Sequence, residues 1–290
     1  MNNLSRRQFL ALAAALGAGA AMPLDLSAGS MQSNMRLGLV TYLWGKDWDL
    51  PTLIKNCQAT GYEGIELRCE HAHKVELDLT PAQRKEVRTR FEESGIVCVG
   101  YGSNFEYHSS DPKVLKWNIE QTKEYIKLYK ELGATGVRVK PNGYTKGVER
   151  EKTHAQIGAA LNEVGRFAKE YDMAIRVEVH GEGTQELPNM KAIFEHVTEN
   201  SVKMCWNCNE QDLLPPGIEY NFNLVKHWLG DTTHVRELDD PKYPYQQLFT
   251  MLKKANYNGW VLLEARTNPS DRVVAMKEQK AIFERMIRNA

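Results

Sequence analysis

Glu178, Asn207, His234 and Glu264 each stand at the end of a short β-like run, at spacings of 29, 27 and 30 residues. That spacing is the length of one strand-plus-helix unit, and in a (β/α)₈ barrel the ends of successive parallel strands meet at one mouth. The runs are IRVEVH (175–180), KMCWN (203–207), THVRE (233–237) and WVLLE (260–264). Their apolar stems suit burial, which leaves the acids, the amide and the imidazole to emerge where the strands stop. Two carboxylates, one imidazole and one amide oxygen suit a divalent cation, and Mn²⁺, Mg²⁺, Co²⁺ and Zn²⁺ are all compatible with such donors.

The elements that must position these groups follow from periodicity. Strand patterns fall at 36–41, 63–68, 96–101, 136–140, 174–180, 202–207, 232–238 and 259–264. Between and after them, apolar residues recur at helical spacing near 49–59, 80–94, 111–132, 149–171, 187–198, 218–228, 244–255 and 270–289. Thr80-Pro81 and Asp111-Pro112 place proline at a first helical position, and Gly61, Gly95 and Gly133 stand where helices should stop. Eight β/α units without a Ser/Gly-rich linker predict one α/β domain, a single (β/α)₈ TIM barrel. An open doubly wound sheet would carry phosphate-binding glycines after its first strand, and Val40-Thr41-Tyr42-Leu43-Trp44-Gly45 has no such pattern.

The chain has 290 residues, 26% of them charged and 42% hydrophobic, which excludes disordered and fibrous classes. Lys+Arg and Asp+Glu both total 37, so no basic excess points to nucleic acid, and the expected partner is a small molecule. Ser5-Arg6-Arg7-Gln8-Phe9-Leu10, an apolar run from Ala11 to Met22 and small residues around Ser27-Ala28 resemble a twin-arginine export signal. The apolar run is shorter than the roughly 20 residues a spanning helix takes. Residues 1–28 are therefore read as a signal peptide and 29–290 as the barrel, exported to the periplasm with no membrane span in the mature chain. The five cysteines are an odd number without framework spacing. Cys205 and Cys208 have CxxC spacing but sit at a strand end, without the helix N-terminus that activates a redox pair.

Read together, Val177-Glu178-Val179-His180, Asn207-Cys208-Asn209-Glu210, His234-Val235-Arg236-Glu237 and Gly259-Trp260-Val261-Leu262-Leu263-Glu264 resemble the signatures of the xylose isomerase-like TIM barrels. These form the sugar phosphate isomerase/epimerase superfamily. The resemblance covers essentially the whole barrel and is most specific at the eighth strand. It implies that Glu178, Asn207, His234 and Glu264 are metal ligands and that Glu178 and Glu264 exchange a substrate proton, one on each face. It departs at Asn207, where the family has Asp, and at Glu210, where a substrate-facing histidine is common. An amide oxygen can ligate a hard cation but brings no charge, so affinity is expected to fall.

Proton transfer beside a carbonyl needs a base in reach, a second group on the opposite face and positive charge where the enediolate oxygen forms. Further candidates for contact with the sugar are His71, His73, Lys140, His180, Arg236 and Arg266, with Trp44 as an aromatic platform. Too few histidines are present for a trinuclear zinc phosphoesterase. Three readings stay open: a metal-assisted isomerase or epimerase of an unphosphorylated sugar, a lyase acting on keto-sugars or 3-keto-glycosides through the same first step, and a non-catalytic carbohydrate-binding barrel. The sequence does not fix an oligomeric state.

Overall fold

The computed structural model describes residues 34–290, so the signal segment 1–28 lies outside the described residues. Eight parallel strands close into a barrel in chain order. They are β1 (Arg36–Val40), β2 (Gly64–Arg68), β3 (Val97–Glu106), β4 (Gly136–Lys140), β5 (Ala174–Glu178), β6 (Val202–Asn207), β7 (Leu229–Val235) and β8 (Trp260–Leu263). Closure is made by β1 pairing with β8, Arg36 opposite Trp260 and Leu39 opposite Leu263.

Eight α-helices surround the barrel among the described residues: α1 (Leu50–Thr60), α2 (Pro81–Ser94), α3 (Pro112–Glu131), α4 (Arg150–Glu170), α5 (Leu187–Glu195), α6 (Ile218–Val225), α7 (Tyr245–Lys254) and α8 (Arg272–Asn289). Their starts follow the sequence signals. Thr80 and Gln83 form a reciprocal capping box at α2, and Asp111 accepts from the Lys113 N–H at α3. Gly61 and Gly95 end α1 and α2 in left-handed geometry (φ 74° and 72°), which a side chain would strain.

Side chains alternate between the two faces of a strand, and this parity decides what enters the barrel. The outward set, such as Leu39, Ile65, Val137, Val177 and Leu263, joins the main core under the helices. The inward set starts with a small apolar cluster of Val40, Val99, Trp260 and Leu262. Above it the interior becomes charged: Glu66 of β2, Arg138 of β4, Glu178 of β5 and His234 of β7 touch one another across the lumen, all at 2% exposure or less. A polar layer this deep costs free energy unless every charge is paired.

Two strands depart from the periodicity. β3 runs five residues past its expected end at Tyr101, because β4 pairs with Gly100–Gly102 and, after a register break, pairs Lys140 with Glu106. β7 begins at Leu229, where Gly230-Asp231 had the composition of a turn. Asp231 instead takes two hydrogen bonds from the Arg176 guanidinium, at 2.9 and 2.7 Å, which holds this segment extended.

Candidate active site

The four strand-end residues converge at the C-terminal mouth. One ligand atom from each of Glu178, His234 and Glu264 lies within 4.8 Å of the others, and all three residues are buried. Asn207 sits beside them, its Nδ2 donating to Glu178 Oε1 at 3.1 Å and to the Val179 carbonyl at 3.3 Å. Both of those neighbours are acceptors, so the amide nitrogen faces them and Oδ1 is turned away.

Glu66 and Arg138 complete the pocket. Arg138 Nη1 lies 2.8 Å from Glu178 Oε2 and also donates to the Ser103 carbonyl at 2.8 Å, while its Nε is 3.4 Å from Glu66 Oε1. Gly102 makes room for this pair: a Cβ there would stand 2.8 Å from Glu66 Oε1 and 2.9 Å from Arg138 Nη2. His234 bridges the same acids, Nε2 at 3.4 Å from Glu66 and Nδ1 at 3.6 Å from Glu178.

The electrostatics follow from this packing. Burial pushes the Glu66 and Glu178 carboxyls up, but neighbouring positive charge outweighs it: Glu66 is held down to about 2, chiefly by His234 and Arg138, and Glu178 well below the carboxylate range, chiefly by Arg138. Burial alone would lower His234; Cys205 first, and then the facing acids Glu66 and Glu178, reverse the sign and raise it well above an ordinary imidazole. Glu264 differs from Glu178. Its carboxylate makes no hydrogen bond among the described residues, only two long ion contacts of 3.8 Å, to Arg68 and Arg266.

The donor set fits a divalent cation. Among the described residues neither nitrogen of the fully buried His234 has a hydrogen-bond partner, although buried imidazoles normally do. Two carboxylates beside such an orphaned imidazole are the ligands a hard or borderline cation takes. Arg138 occupies one oxygen of Glu178 and leaves Oε1 on the side of His234.

The remaining candidates separate. Lys140 is 9% exposed and donates to Asn104 Oδ1 at 2.9 Å. Burial and then Arg138 lower its pKa. His180 Nδ1 pairs with Asn142 Oδ1 at 2.7 Å, and the Asn142 amide nitrogen donates to Glu106. That chain places the proton on Nδ1 and leaves Nε2 as an acceptor, and burial lowers the ring's pKa so that it stays neutral. Arg266 is at the rim beside Glu264.

Five expectations need correcting or narrowing. His73 spends both nitrogens on backbone, Nε2 with the Arg68 carbonyl at 2.7 Å and Nδ1 accepting from the Val75 N–H at 3.0 Å, so it shapes the β2 loop instead of meeting a ligand. Trp44 is 2% exposed with its indole N–H on the Thr267 carbonyl, and presents no open ring face. Glu210 is exposed on a 3₁₀ turn with no side-chain partner among the described residues. Arg236 forms no ion pair with the site carboxylates and lies in the field of Asp212. His71 is half-buried, Nδ1 accepting from Thr41 Oγ1 at 3.2 Å, and desolvation first of all pushes it down to about 4. The five cysteines are all free.

Glu66, Arg138 and Glu237 were not singled out by spacing, and parity is the signal that reaches the first two. Glu66 and Arg138 are charged residues inside apolar strand runs, each two positions before a rim residue, Arg68 and Lys140. Glu237 accepts from the backbone N–H groups of Arg266 (3.0 Å) and Thr267 (2.7 Å), which fixes the loop just after Glu264. An open cavity of about 680 Å³ lies at the opposite end of the barrel, lined by Thr135, Ser201, Lys203 and Asp231 among others, and shares no residue with this site.

A 3-keto-D-glucoside 4-epimerase from E. coli superposes with a TM-score of 0.73 at 13% identity, over 87% of this chain and 99% of that one. A D-allulose 3-epimerase from Methylomonas sp. gives 0.73 at 14%, over 88% and 98%, and a D-psicose 3-epimerase with D-tagatose from Clostridium cellulolyticum H10 gives 0.72 at 16%, over 87% and 98%. At these identities the likeness establishes the fold. No curated protein sequence matches the chain. Residues 3–23 match the twin-arginine translocation pathway signal sequence. The family profile matches residues 54–286, most of the chain and every strand but the first, so this protein belongs to the xylose isomerase-like TIM barrel family.

Proposed function

We propose that the protein is an exported, metal-assisted keto-sugar isomerase or epimerase that removes the proton beside a carbonyl. The observation that carries this reading is the asymmetric pair of buried carboxylates around His234: Glu178 is tied by Arg138 and Asn207, and Glu264 is untied. Glu178, His234 and Glu264 would hold a divalent cation, beside the Asn207 amide that donates to Glu178, and the bound ion would supply the positive charge that an enediolate oxygen needs. Glu264 is the base, because its oxygens are free to take a proton. Glu178 stands on the other side, held ionised by Arg138. His180 Nε2 accepts a hydroxyl proton and returns it to an oxygen, with Asn142 and Glu106 holding the tautomer. The 3-keto-glucoside and ketose epimerases of the same fold are consistent with a carbohydrate substrate, and the signal match with periplasmic work on an unphosphorylated sugar.

The tie on Glu178 also favours a second reading. A two-face epimerisation needs Glu178 to deliver a proton, whereas an aldose–ketose shift or an elimination from a 3-keto-glycoside needs only one base and a group serving the oxygens. Glu264 and His180 supply those. The test is solvent exchange: metal-loaded protein should incorporate deuterium at the carbon next to the ketone, and Glu264→Gln should abolish it with the fold intact. Product analysis then separates epimer from elimination product. Neither exchange nor turnover across a broad panel of keto-sugars and keto-glycosides would leave a carbohydrate-binding barrel as the better description.

A further inference from the structure

Lys140 is nine-tenths buried at the mouth, yet its ammonium meets only the neutral Asn104 amide oxygen and forms no ion pair among the described residues. The same oxygen accepts from Arg68 Nη2 at 3.3 Å, which holds the two cationic heads within about 6 Å of each other. Arg68 is itself under-satisfied. Its Nε is buried without a partner, its face lies over the Tyr42 ring at 4.9 Å, and its one carboxylate neighbour is Glu264 at 3.8 Å. Arg266 is the second cation on that same carboxylate, again at 3.8 Å. Of the other nearby acids, Glu106 is engaged by Asn142 and Glu178, which also acts on Lys140, is paired with Arg138.

Two of the three cations, Arg68 and Arg266, thus share one carboxylate, and that carboxylate is the proposed base. Balancing Glu264 does not explain Lys140, which has no carboxylate oxygen within 4.0 Å. Lys140 is buried and Arg68 part-buried, and like charges drawn to one neutral acceptor are costly alone and favourable once an anion enters between them. A guanidinium and an ammonium at this separation can bracket the two oxygens of a carboxylate, with charge-assisted bonds to both.

We propose that the sugar taken by this site carries a carboxylate, a keto-uronate or keto-aldonate, which Lys140 and Arg68 clamp in place of the Asn104 amide oxygen. The assignment rests on the keto-sugar reading above and names its substrate class. Arg68 then joins the anchor to the reacting end: its guanidinium spans from the clamp to Glu264, so the carbon beside the carbonyl is presented to the base. A phosphate satisfies the same charge, but it has four oxygens to engage and commonly takes a nest of backbone N–H groups; the clamp consists of two side chains.

Equilibrium binding tests this without turnover, so that failure of the catalytic reading and failure of this one are distinguishable. Calorimetry in MnCl₂ would compare D-glucuronate, D-galacturonate and D-mannuronate with their neutral hexoses and with glucose 6-phosphate. The expected result is a uronate bound at least about tenfold more tightly than its hexose. Lys140→Met should cut that ratio to below about threefold and Lys140→Arg should keep most of it. A smaller ratio in the wild-type protein, or no uronate binding, overturns the proposal. So does glucose 6-phosphate binding more tightly than every uronate, which assigns the clamp to phosphate, and so does an undiminished ratio in a folded Lys140→Met protein.

Discussion

Arg138→Met should unfold the protein at a markedly lower temperature when metal is withheld, and added divalent cation should restore much of the loss. The guanidinium is 1% exposed and is the nearest positive group to Glu178 (2.8 Å) and a close one to Glu66 (3.4 Å). Methionine keeps much of the apolar stem, so the cavity term is small compared with the charge term. What remains is two carboxylates at 0% and 2% exposure with His234 as their one close cation. Removing one partner of a buried pair costs about 3–5 kcal/mol. For a domain of this size that is a fall in Tm of about 6–20 °C.

A cation supplies the missing charge at the same carboxylates. Bound at a hundred to a thousand times its Kd, it adds about 2.7–4.1 kcal/mol to the folded state, comparable with the loss. Calorimetric melting in EDTA and in excess MnCl₂, for wild type and variant, reads both terms. The variant should gain more from metal than the wild type, because Glu178 is then free to ligate with both oxygens. An equal drop in EDTA and in MnCl₂ would refute the reasoning and make Arg138 a packing residue. A drop under about 2 °C in EDTA would mean that His234 balances both acids alone.

Asn207→Asp should tighten divalent metal binding and weaken the metal-free fold, since an aspartate oxygen would face Glu178 Oε1 and the Val179 carbonyl where the amide now donates; the metal-free loss should be about 1–3 kcal/mol, and titration calorimetry showing equal affinity in both proteins would mean that position 207 does not reach the metal. Asp212→Asn tests a buried acid away from the metal: burial pushes Asp212 up from 3.8 to about 8 against the hydrogen bond from Tyr243. The folded form therefore keeps a proton that the unfolded chain gives up, so wild-type stability falls as pH rises from about 4 to about 8 and is level above. The variant lacks this slope, and its stability relative to wild type should grow by about 2 kcal/mol between pH 6 and pH 8, read by urea denaturation at each pH. A constant difference would show Asp212 ionised throughout.

The barrel was legible because its signals are local and repeated: every expected strand and helix exists within a few residues of its expected bounds. Where bounds moved, tertiary partners overrode composition. Gly102-Ser103-Asn104 has turn character but is held in β3, with Ser103 Oγ donating to the Arg138 carbonyl at 2.6 Å. The strand-end set was legible for the same reason of repetition. Loop residues were not. Trp44 and His73 have functional types, but what each does is decided by a backbone carbonyl, from Thr267 far along the chain for Trp44 and from Arg68 in its own loop for His73, and strand spacing carries no information about either. Glu66 and Arg138 lay in between, hidden as ordinary charges and recoverable only by asking which strand positions share the inward parity of Glu178 and His234.

That pair changes the meaning of Asn207. Taken alone, an amide at the position where the family resemblance puts Asp describes a weakened metal site. With Arg138 in the lumen, the neutral amide and the guanidinium act on one group: Asn207 holds Glu178 Oε1 and Arg138 holds Oε2. Glu178 is thereby fixed in position and kept ionised by the protein itself, whereas Glu264 is left for substrate and cation. The division of labour between two carboxylates that environment normally sets is set here by two neighbours of one of them. Substitutions at 138 and 207 therefore converge on Glu178, and their effects on metal affinity are coupled through it instead of adding.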